Sequence, residues 1–151
     1  MTTSDTVLIV EDNENDVFFM KRALSTAGFT NPLVIAEDGQ QALDYLGGVG
    51  KYADQMTFPV PTLIFLDLKL PVKRGLDVLA WLRQQSHLRE VIVIVLTSSS
   101  EPADIQQAYR LGANSYLVKP ATTQRLTDMA RALKLYWLEF NCSPQAGANK
   151  S

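Results

Sequence analysis

Acidic, hydroxyl and basic side chains follow short apolar runs at four places in the chain. They are Glu11 and Asp12 after Val7–Val10, Asp67 after Leu63–Leu66, Thr97 after Val91–Leu96, and Lys119 after Ser115–Val118. A carboxylate on a rigid strand end can attack a phosphorus atom and form an aspartyl phosphate. Transfer of a phosphoryl group also requires positive charge and hydrogen-bond donors around its oxygens. The set therefore predicts phosphoryl transfer.

The residue types divide this chemistry among them. Asp67 is the expected phosphoacceptor, and Mg2+ is the expected cation, because Mg2+ binds through one or two carboxylates and several waters. We expect Asp12 and Asp67 to be direct ligands and Glu11 to act through water. Crowded carboxylates repel one another, and a divalent cation relieves that repulsion. Lys119 would supply a point charge to the phosphoryl oxygens, and Thr97 a hydroxyl donor.

Each of these polar residues also has a simpler explanation. Asp12 or Asn13 would serve as a helix N-cap, and so would Thr97 or Ser98. Capping explains single positions, but it does not explain why four strand ends carry suitable groups at once.

The elements that must bring these residues together are five strands alternating with helical segments. The apolar runs that predict strands are Val7–Val10, Leu33–Ala36, Thr62–Leu66, Val91–Leu96 and Ser115–Val118. Nearly continuous Val, Ile and Leu is typical of strands buried on both faces. Regular alternation predicts an α/β fold with a parallel sheet between helices. We expect a flavodoxin-like, doubly wound sheet of order 2-1-3-4-5 with five helices, whose site lies beyond the carboxyl ends of the strands.

These residues in this order resemble the receiver-domain family of two-component response regulators. The resemblance covers about Thr6–Phe140. It rests on Glu11-Asp12 after the first strand, Asp67 after the third, Thr97 after the fourth, and Lys119-Pro120 after the fifth.

The resemblance implies further roles. The backbone carbonyl of Lys69 would be another Mg2+ contact, and the Lys119–Pro120 peptide bond would be cis, as proline permits. Tyr116 would be the switch aromatic. On phosphorylation Thr97 would turn inward and Tyr116 would fill the vacated space, which is a shift between two packings. The alternative for Tyr116 is an ordinary strand aromatic.

Within the family, the chain is similar to the single-domain regulators of bacterial phytochrome histidine kinases. The residues that carry this likeness are Val10-Glu11-Asp12-Asn13, Asn15-Asp16-Val17, Ala42-Leu43-Asp44-Tyr45-Leu46-Gly47, and Phe65-Leu66-Asp67-Leu68-Lys69-Leu70-Pro71 with Gly75. Two positions depart from the pattern. Lys69 stands where Asn or Met is common, and Phe18 where a polar residue is common. Phe18 would be either an exposed kinase contact or a residue buried against a neighbouring helix.

The last helical segment, Thr123–Phe140, suggests both a core face and an interface. Its core stripe is Leu126, Met129, Ala130, Leu133, Trp137 and Phe140. Leu135 and Leu138 fall on the far side with Tyr136 at the edge, and such outward apolar residues can mark an interface. We expect a two-fold homodimer through this helix. Residues 1–140 should form the receiver domain and 141–151 a disordered tail.

Composition narrows the function further. Fourteen basic and sixteen acidic residues leave a formal net charge of −2, which disfavours nucleic-acid binding. The single cysteine fits a reducing cytoplasm, and strand-sized apolar runs predict no membrane span.

We therefore expect a cytoplasmic signalling protein that acts without a DNA-binding output domain. It would assist its own phosphorylation and dephosphorylation but would not otherwise be an enzyme. One alternative is a phosphorylation-independent interaction module on the same fold. Another is a flavin enzyme, which acidic strand ends disfavour.

Overall fold

A computed structural model describes residues 1–144 of the 151-residue chain. The strands are β1 Val7–Val10, β2 Leu33–Ala36, β3 Leu63–Leu66, β4 Ile92–Thr97 and β5 Ser115–Val118. The helices are α1 Glu14–Ala27, α2 Gly39–Gly47, α3 Gly75–Arg83, α4 Pro102–Arg110 and α5 Thr123–Lys134, and α5 runs into a π-helical turn, Leu135–Phe140. Short 3-10 helices span Gly50–Tyr52 and Ser86–Leu88. The alternation expected from the apolar runs is confirmed.

The strands form one parallel sheet in the order β2-β1-β3-β4-β5, as the sequence predicts. The register places Val10 of β1 beside Leu66 of β3, and Leu66 beside Val95 of β4. The residues that follow Val10 and Leu66 therefore leave the sheet at the same level. This register, more than any loop, brings the candidate site residues together.

Apolar side chains that alternate along each strand fill the two faces of the sheet. Leu8, Val10, Ile64, Leu66, Val93 and Val95 face α2 and α3, whereas Val7, Ile9, Leu63, Phe65, Ile94 and Leu96 face α1 and α5. The alternation follows from the two-residue period of a strand. Both faces are buried, so the strand ends are held between two packed layers.

Side-chain caps fix where three helices begin. Asn13 accepts a hydrogen bond from the backbone N–H of Asp16 at 3.0 Å and so starts α1. Asp38 and Thr122 do the same for α2 and α5. The capping explanation is therefore right for Asn13 and does not apply to Thr97, whose hydroxyl bonds elsewhere.

The end of the last helix differs from the expected regular pattern. Over Leu135–Phe140 the chain is π-helical, and the N–H of Asn141 donates to the carbonyl of Tyr136 at 2.6 Å. A π-turn holds more residues than an α-turn, so it rotates the following side chains relative to an α-helical projection. Leu138 consequently packs against the core, and Phe140 is 74% exposed.

Two expectations are therefore wrong: Leu138 does not face outward, and Phe140 does not belong to the core stripe. Leu135 and Tyr136 are exposed as expected, at 47% and 55%.

Arg83, at the end of α3, ties together the loops at the opposite end of the sheet from the candidate site. Its guanidinium donates to the carbonyls of Leu88, Arg89, Val91 and Gly112 and to the side chain of Asn114. Burial lowers the pKa of Arg83. The segments before β4 and β5 are thereby anchored to α3.

Within residues 1–144, none of the helices combines the length and apolarity that a membrane crossing requires.

Candidate functional site

Three carboxylates converge at the carboxyl ends of β1 and β3. Glu11, Asp12 and Asp67 each offer an oxygen within 4.8 Å of the others. Glu11 and Asp67 are buried, whereas Asp12 is exposed. Hard oxygen donors of this kind suit a divalent cation such as Mg2+ or Ca2+. The residues present therefore fit the cation expected from the sequence.

Gly75 allows α3 to begin directly against the strand end that carries Asp67. A Cβ atom at this position would lie 2.2 Å from the carbonyl oxygen of Asp67 and 2.7 Å from the Cα of Leu68. Both contacts are with backbone atoms, so no side-chain movement could relieve them. Gly75, one of the residues that carry the family resemblance, is thus required for steric reasons in this chain.

Both carboxylate oxygens of Asp67 accept hydrogen bonds. Oδ1 accepts from the Thr97 hydroxyl at 2.8 Å and from the backbone N–H of Lys69 at 3.1 Å. Oδ2 accepts from the Lys119 ammonium at 2.9 Å. Burial alone would raise the pKa of Asp67, but these hydrogen bonds outweigh burial and lower it. Asp67 is therefore an ionised carboxylate whose two oxygens are held in fixed positions.

Lys119 lies between three carboxylates. Its Nζ is 2.5 Å from Glu11, 2.8 Å from Asp16 and 2.9 Å from Asp67. Burial alone would lower the pKa of Lys119, but the hydrogen bonds to these carboxylates raise it above its usual value. The ammonium thus remains charged and reduces the repulsion among the acids.

Asp16 is the member of this group that the sequence analysis did not assign. In the sequence, Asp16 stands out only as part of the motif Asn15-Asp16-Val17. The available signal was its position, four residues after Asp12 and in the first turn of the predicted helix. Because α1 starts close to the end of β1, its first turn directs Asp16 back to the site.

Glu11 has a strongly altered protonation equilibrium. Burial, with the negative charge of Asp67 as an additional cause, raises the pKa of Glu11 to about 7, although the hydrogen bond from Lys119 opposes the change. Near neutral pH, a cation that binds this carboxylate must displace a proton.

The loop after Asp67 contains a strained residue. Val72 has φ 69°, and the N–H of Lys73 donates to the carbonyl of Pro71 at 2.8 Å, which makes Val72 the centre of a γ-turn. A positive φ is costly for a β-branched residue. The same loop carries Lys69, whose side chain is exposed. A metal-ligand role for the Lys69 carbonyl stays a prediction.

The residues expected to switch are already linked to the site. Thr97 is fully buried and lies in the inward position, with its hydroxyl on Asp67. Tyr116 donates its hydroxyl to the carbonyl of Ser99 at 2.8 Å, and the Ser99 hydroxyl bonds to Asp104 of α4. Hydrogen bonds therefore connect the end of β4, β5 and the start of α4.

The expected cis peptide bond before Pro120 is wrong for this structure. Among residues 1–144 every peptide bond is trans. The trans form is the lower in energy for an X–Pro bond by about 0.5–1 kcal/mol, and Lys119 reaches its three carboxylate partners from it.

An open pocket of about 390 Å³ extends from the site between α1 and the start of α5. Asp16, Asp67 and Lys119 line one part of it, and Phe19 and Leu126 are among its apolar lining residues. Phe18, the neighbour of Phe19, is 57% exposed, so of the two alternatives for this ring burial against a neighbouring helix is wrong. The two rings meet edge to face at 5.5 Å.

Comparison with known proteins places this site in a family. The model of the response regulator receiver domain matches residues 7–131. The probable methanogenesis regulatory protein FilR2 of Methanothrix harundinacea is 37% identical over 141 residues, covering 91% of this chain and 86% of its own. The response regulator Rcp1 of Synechocystis sp. is 36% identical over 140 residues, which cover 93% of each chain.

Solved structures give the same result. The phosphorylated cyanobacterial phytochrome response regulator RcpA matches with a TM-score of 0.86 at 33% identity, covering 93% of this chain and 99% of that one. The Mn(2+)-bound form of Rcp1 matches with a TM-score of 0.83 at 35% identity and the same coverage. The predicted sheet order, the converging acids and these relatives agree with one another. The chain belongs to the response regulator receiver domain family.

Proposed function

We propose that this chain is a two-component response regulator that is phosphorylated on Asp67 by a histidine kinase, with Mg2+ bound in the acidic site. The observation that carries the proposal is the environment of Asp67. One carboxylate oxygen faces Lys119, the other faces Thr97, and Glu11 and Asp12 lie within ligand distance. The chain would catalyse only its own phosphorylation and dephosphorylation.

In the transfer, the protein orients the reacting groups and neutralises the negative charge on the phosphoryl oxygens. An oxygen of Asp67 attacks the phosphorus of a phosphohistidine, the P–O bond forms, and the P–N bond to the donor imidazole breaks. The new acyl phosphate places anionic oxygens beside the Lys119 ammonium and the Thr97 hydroxyl, both already within hydrogen-bond distance of Asp67. Preorganised donors of this kind need little rearrangement during the reaction.

Asp12 and Asp67 would hold Mg2+ directly, Glu11 would act through water, and the Lys69 carbonyl would supply a further ligand. When bound, the cation neutralises charge on the phosphoryl oxygens. The Mn(2+)-bound form of the relative Rcp1 supports the proposal that this chain binds a divalent cation.

The switch would run through Thr97 and Tyr116. A phosphoryl group that engages the Thr97 hydroxyl competes with Asp67 for that donor, and Tyr116 bonds to the loop between β4 and α4. Contacts made only in the phosphorylated state would shift the population of loop conformations. The surface around α4 and β5 would thereby report phosphorylation to a protein partner in the cytoplasm.

The proposed phosphodonor is a phytochrome-type histidine kinase. Rcp1-like and RcpA-like regulators are similar to this chain over nearly its whole length. The pocket beside Asp67 opens between α1 and α5, and the exposed ring of Phe18 stands next to the pocket residue Phe19. We propose that the kinase docks across α1.

We also propose a homodimer, through a surface that differs from the one expected from the sequence. Leu135 and Tyr136 are exposed, and the π-turn adds Phe140 to them. Leu138 does not belong to the proposed dimer surface because it packs against the core. Three large apolar side chains on one exposed helix end are a typical self-association surface.

Incubation with acetyl phosphate and Mg2+ tests the phosphoacceptor. We expect a mass gain of one phosphoryl group, lost in Asp67→Asn because the amide is not a comparable nucleophile. Asp38→Asn is the matched control, since Asp38 caps α2 and lies outside the acid cluster. Intact-protein mass spectrometry measures both. Phosphorylation of Asp67→Asn, or none of the wild type, would reject the assignment and favour a phosphorylation-independent module.

Phe18→Ala tests the docking surface. We expect phosphotransfer from a phosphorylated phytochrome kinase to slow at least fivefold, because an exposed aromatic contact is lost. Labelling by acetyl phosphate should not change, since Phe18 does not contact Asp67. Val49, which follows α2 and is as exposed as Phe18, offers a control, Val49→Ala, which should leave kinase transfer unaffected. Equal rates for Phe18→Ala and the wild type in a radiolabel transfer assay would place the kinase elsewhere.

Cation binding should depend on pH through Glu11. Since burial raises the pKa of Glu11 to about 7, protons compete with Mg2+ below that pH. Affinity should rise by about tenfold per pH unit up to pH 7 and then level off, as expected for release of one proton. Isothermal titration calorimetry in buffers of different protonation enthalpy measures both the Mg2+ affinity and the number of protons released on binding.

The control variants separate the two acids. Glu11→Gln should bind Mg2+ more weakly and without this pH dependence, whereas Asp12→Asn should bind more weakly with the dependence preserved. A pH-dependent affinity in Glu11→Gln would contradict the assignment. For the folded chain without cation, the raised pKa makes stability fall as pH rises from about 4.5 to about 7.

The double variant Leu135→Glu/Tyr136→Glu tests the dimer surface. We expect its dimer dissociation constant to increase at least tenfold, because two charges would be buried at the interface. Met56→Glu is the control, since Met56 is 91% exposed and far along the chain from the last helix. Sedimentation equilibrium gives the masses. A dimer unaffected by the double variant, or a monomeric wild type, would remove this surface from the proposal.

A further inference from the structure

The ammonium of Lys119 has three N–H donors, and three carboxylates take them. Two partners, Glu11 and Asp67, have side chains only 7% exposed. The third, Asp16, has a side chain 43% exposed and contacts the ammonium at 2.8 Å. Asp16 is therefore the partner on the solvent side.

Asp16 is held in place by the helix that carries it. It lies in the first turn of α1, and its backbone N–H donates to the capping side chain of Asn13 at 3.0 Å. The positive end of the helix dipole also favours a carboxylate at this position. The contact with Lys119 thus joins a fixed helix end to a flexible four-carbon side chain.

Asp16 does not belong to the acid cluster that fits a cation. Among the described residues, that cluster consists of Glu11, Asp12 and Asp67. The acid at position 16 therefore acts on the lysine rather than on the metal.

A phosphoryl group on Asp67 adds new anionic acceptors for the N–H donors of Lys119. The new anionic oxygens need the N–H donors of Lys119, while Asp16 continues to draw the same ammonium toward the exposed side. The negative charge of Asp16 also opposes an incoming anion. Both effects act in the same direction, against the phosphorylated state.

We propose that Asp16 is a positioning residue that competes with the phosphoryl group for Lys119 and so weakens retention of that group. The proposal rests on the proposed function, because it requires Asp67 to be the phosphoacceptor. Asp16 acts through Lys119 and does not itself touch the phosphorus. It would set how tightly the site holds a phosphoryl group without contributing to the transfer chemistry.

The test is the affinity of the full chain for fluoroberyllate, a phosphoryl mimic, at saturating Mg2+. Isothermal titration calorimetry of Asp16→Asn should show binding about threefold to tenfold tighter than in the wild type, within the range of a partly exposed ion pair. Asp16→Glu, which restores a carboxylate, should return to near the wild-type affinity. The gain should shrink at high salt, because screening weakens a partly exposed contact.

Glu14→Gln is the matched control. Glu14 is the other acid in the first turn of α1 and is exposed, so its loss changes the net charge and the helix-end electrostatics equally. We expect its affinity to stay within twofold of the wild type. A tightening in Glu14→Gln equal to that in Asp16→Asn would overturn the inference, since the effect would then be general charge.

The sign of the change separates competition from structural support. If Asp16 only stabilised α1 or held Lys119 in place, Asp16→Asn would bind fluoroberyllate equally or more weakly, and either result overturns the inference. Failure of the wild type to bind fluoroberyllate, or binding that survives in Asp67→Asn, would instead overturn the proposed function together with this inference. The two failures are therefore distinguishable.

Discussion

Repulsion among carboxylates at the ends of β1 and β3 is the constraint on which the site depends. Glu11 and Asp67 are buried next to each other and cannot both be charged without compensation. Lys119 supplies part of that compensation, but burial, with the charge of Asp67 as a smaller cause, still raises the pKa of Glu11 to about 7. A site in this condition gains stability from any added positive charge. In the proposed function, the affinity of the site for a cation and the reactivity of Asp67 would have the same electrostatic origin.

The rest of the fold holds this unfavourable cluster together. The parallel register sets β1 and β3 level, two apolar layers bury both faces, and Gly75 lets α3 begin against the backbone of Asp67. At the opposite end of the sheet, Arg83 ties the segments before β4 and β5 to α3. The strained γ-turn at Val72 follows Leu70, which is buried, and the carbonyl of Pro71 accepts a hydrogen bond from the N–H of Gly39 at 3.4 Å. Strained residues persist where such contacts hold the backbone around them. Stability elsewhere thus maintains strain at the site.

Contacts lead away from Asp67 in two directions. Thr97 donates to Asp67, and two residues further along the chain Ser99 bonds to Tyr116 and to Asp104 at the start of α4. Lys119 connects Asp67 to Asp16 and hence to α1, beside the pocket and the exposed ring of Phe18. In the proposed function, the second direction faces the phosphodonor and the first faces the partner. One lysine and one threonine would then couple both surfaces to the same carboxylate.

The sequence by itself determined the strand order, the bounds of most strands and the identity of the buried acid site. Apolar runs and polar strand ends are local signals, and parallel topology brings such ends together. Three things were decided only by tertiary structure. Asp16 joins Lys119 because the first turn of α1 lies beside the residue that follows β5. Arg83 reaches Gly112 and Asn114, which lie 29 and 31 positions away in the chain. The π-turn places Leu138 inward and Phe140 outward, because it holds more residues per turn than the α-helix that the sequence periodicity predicts.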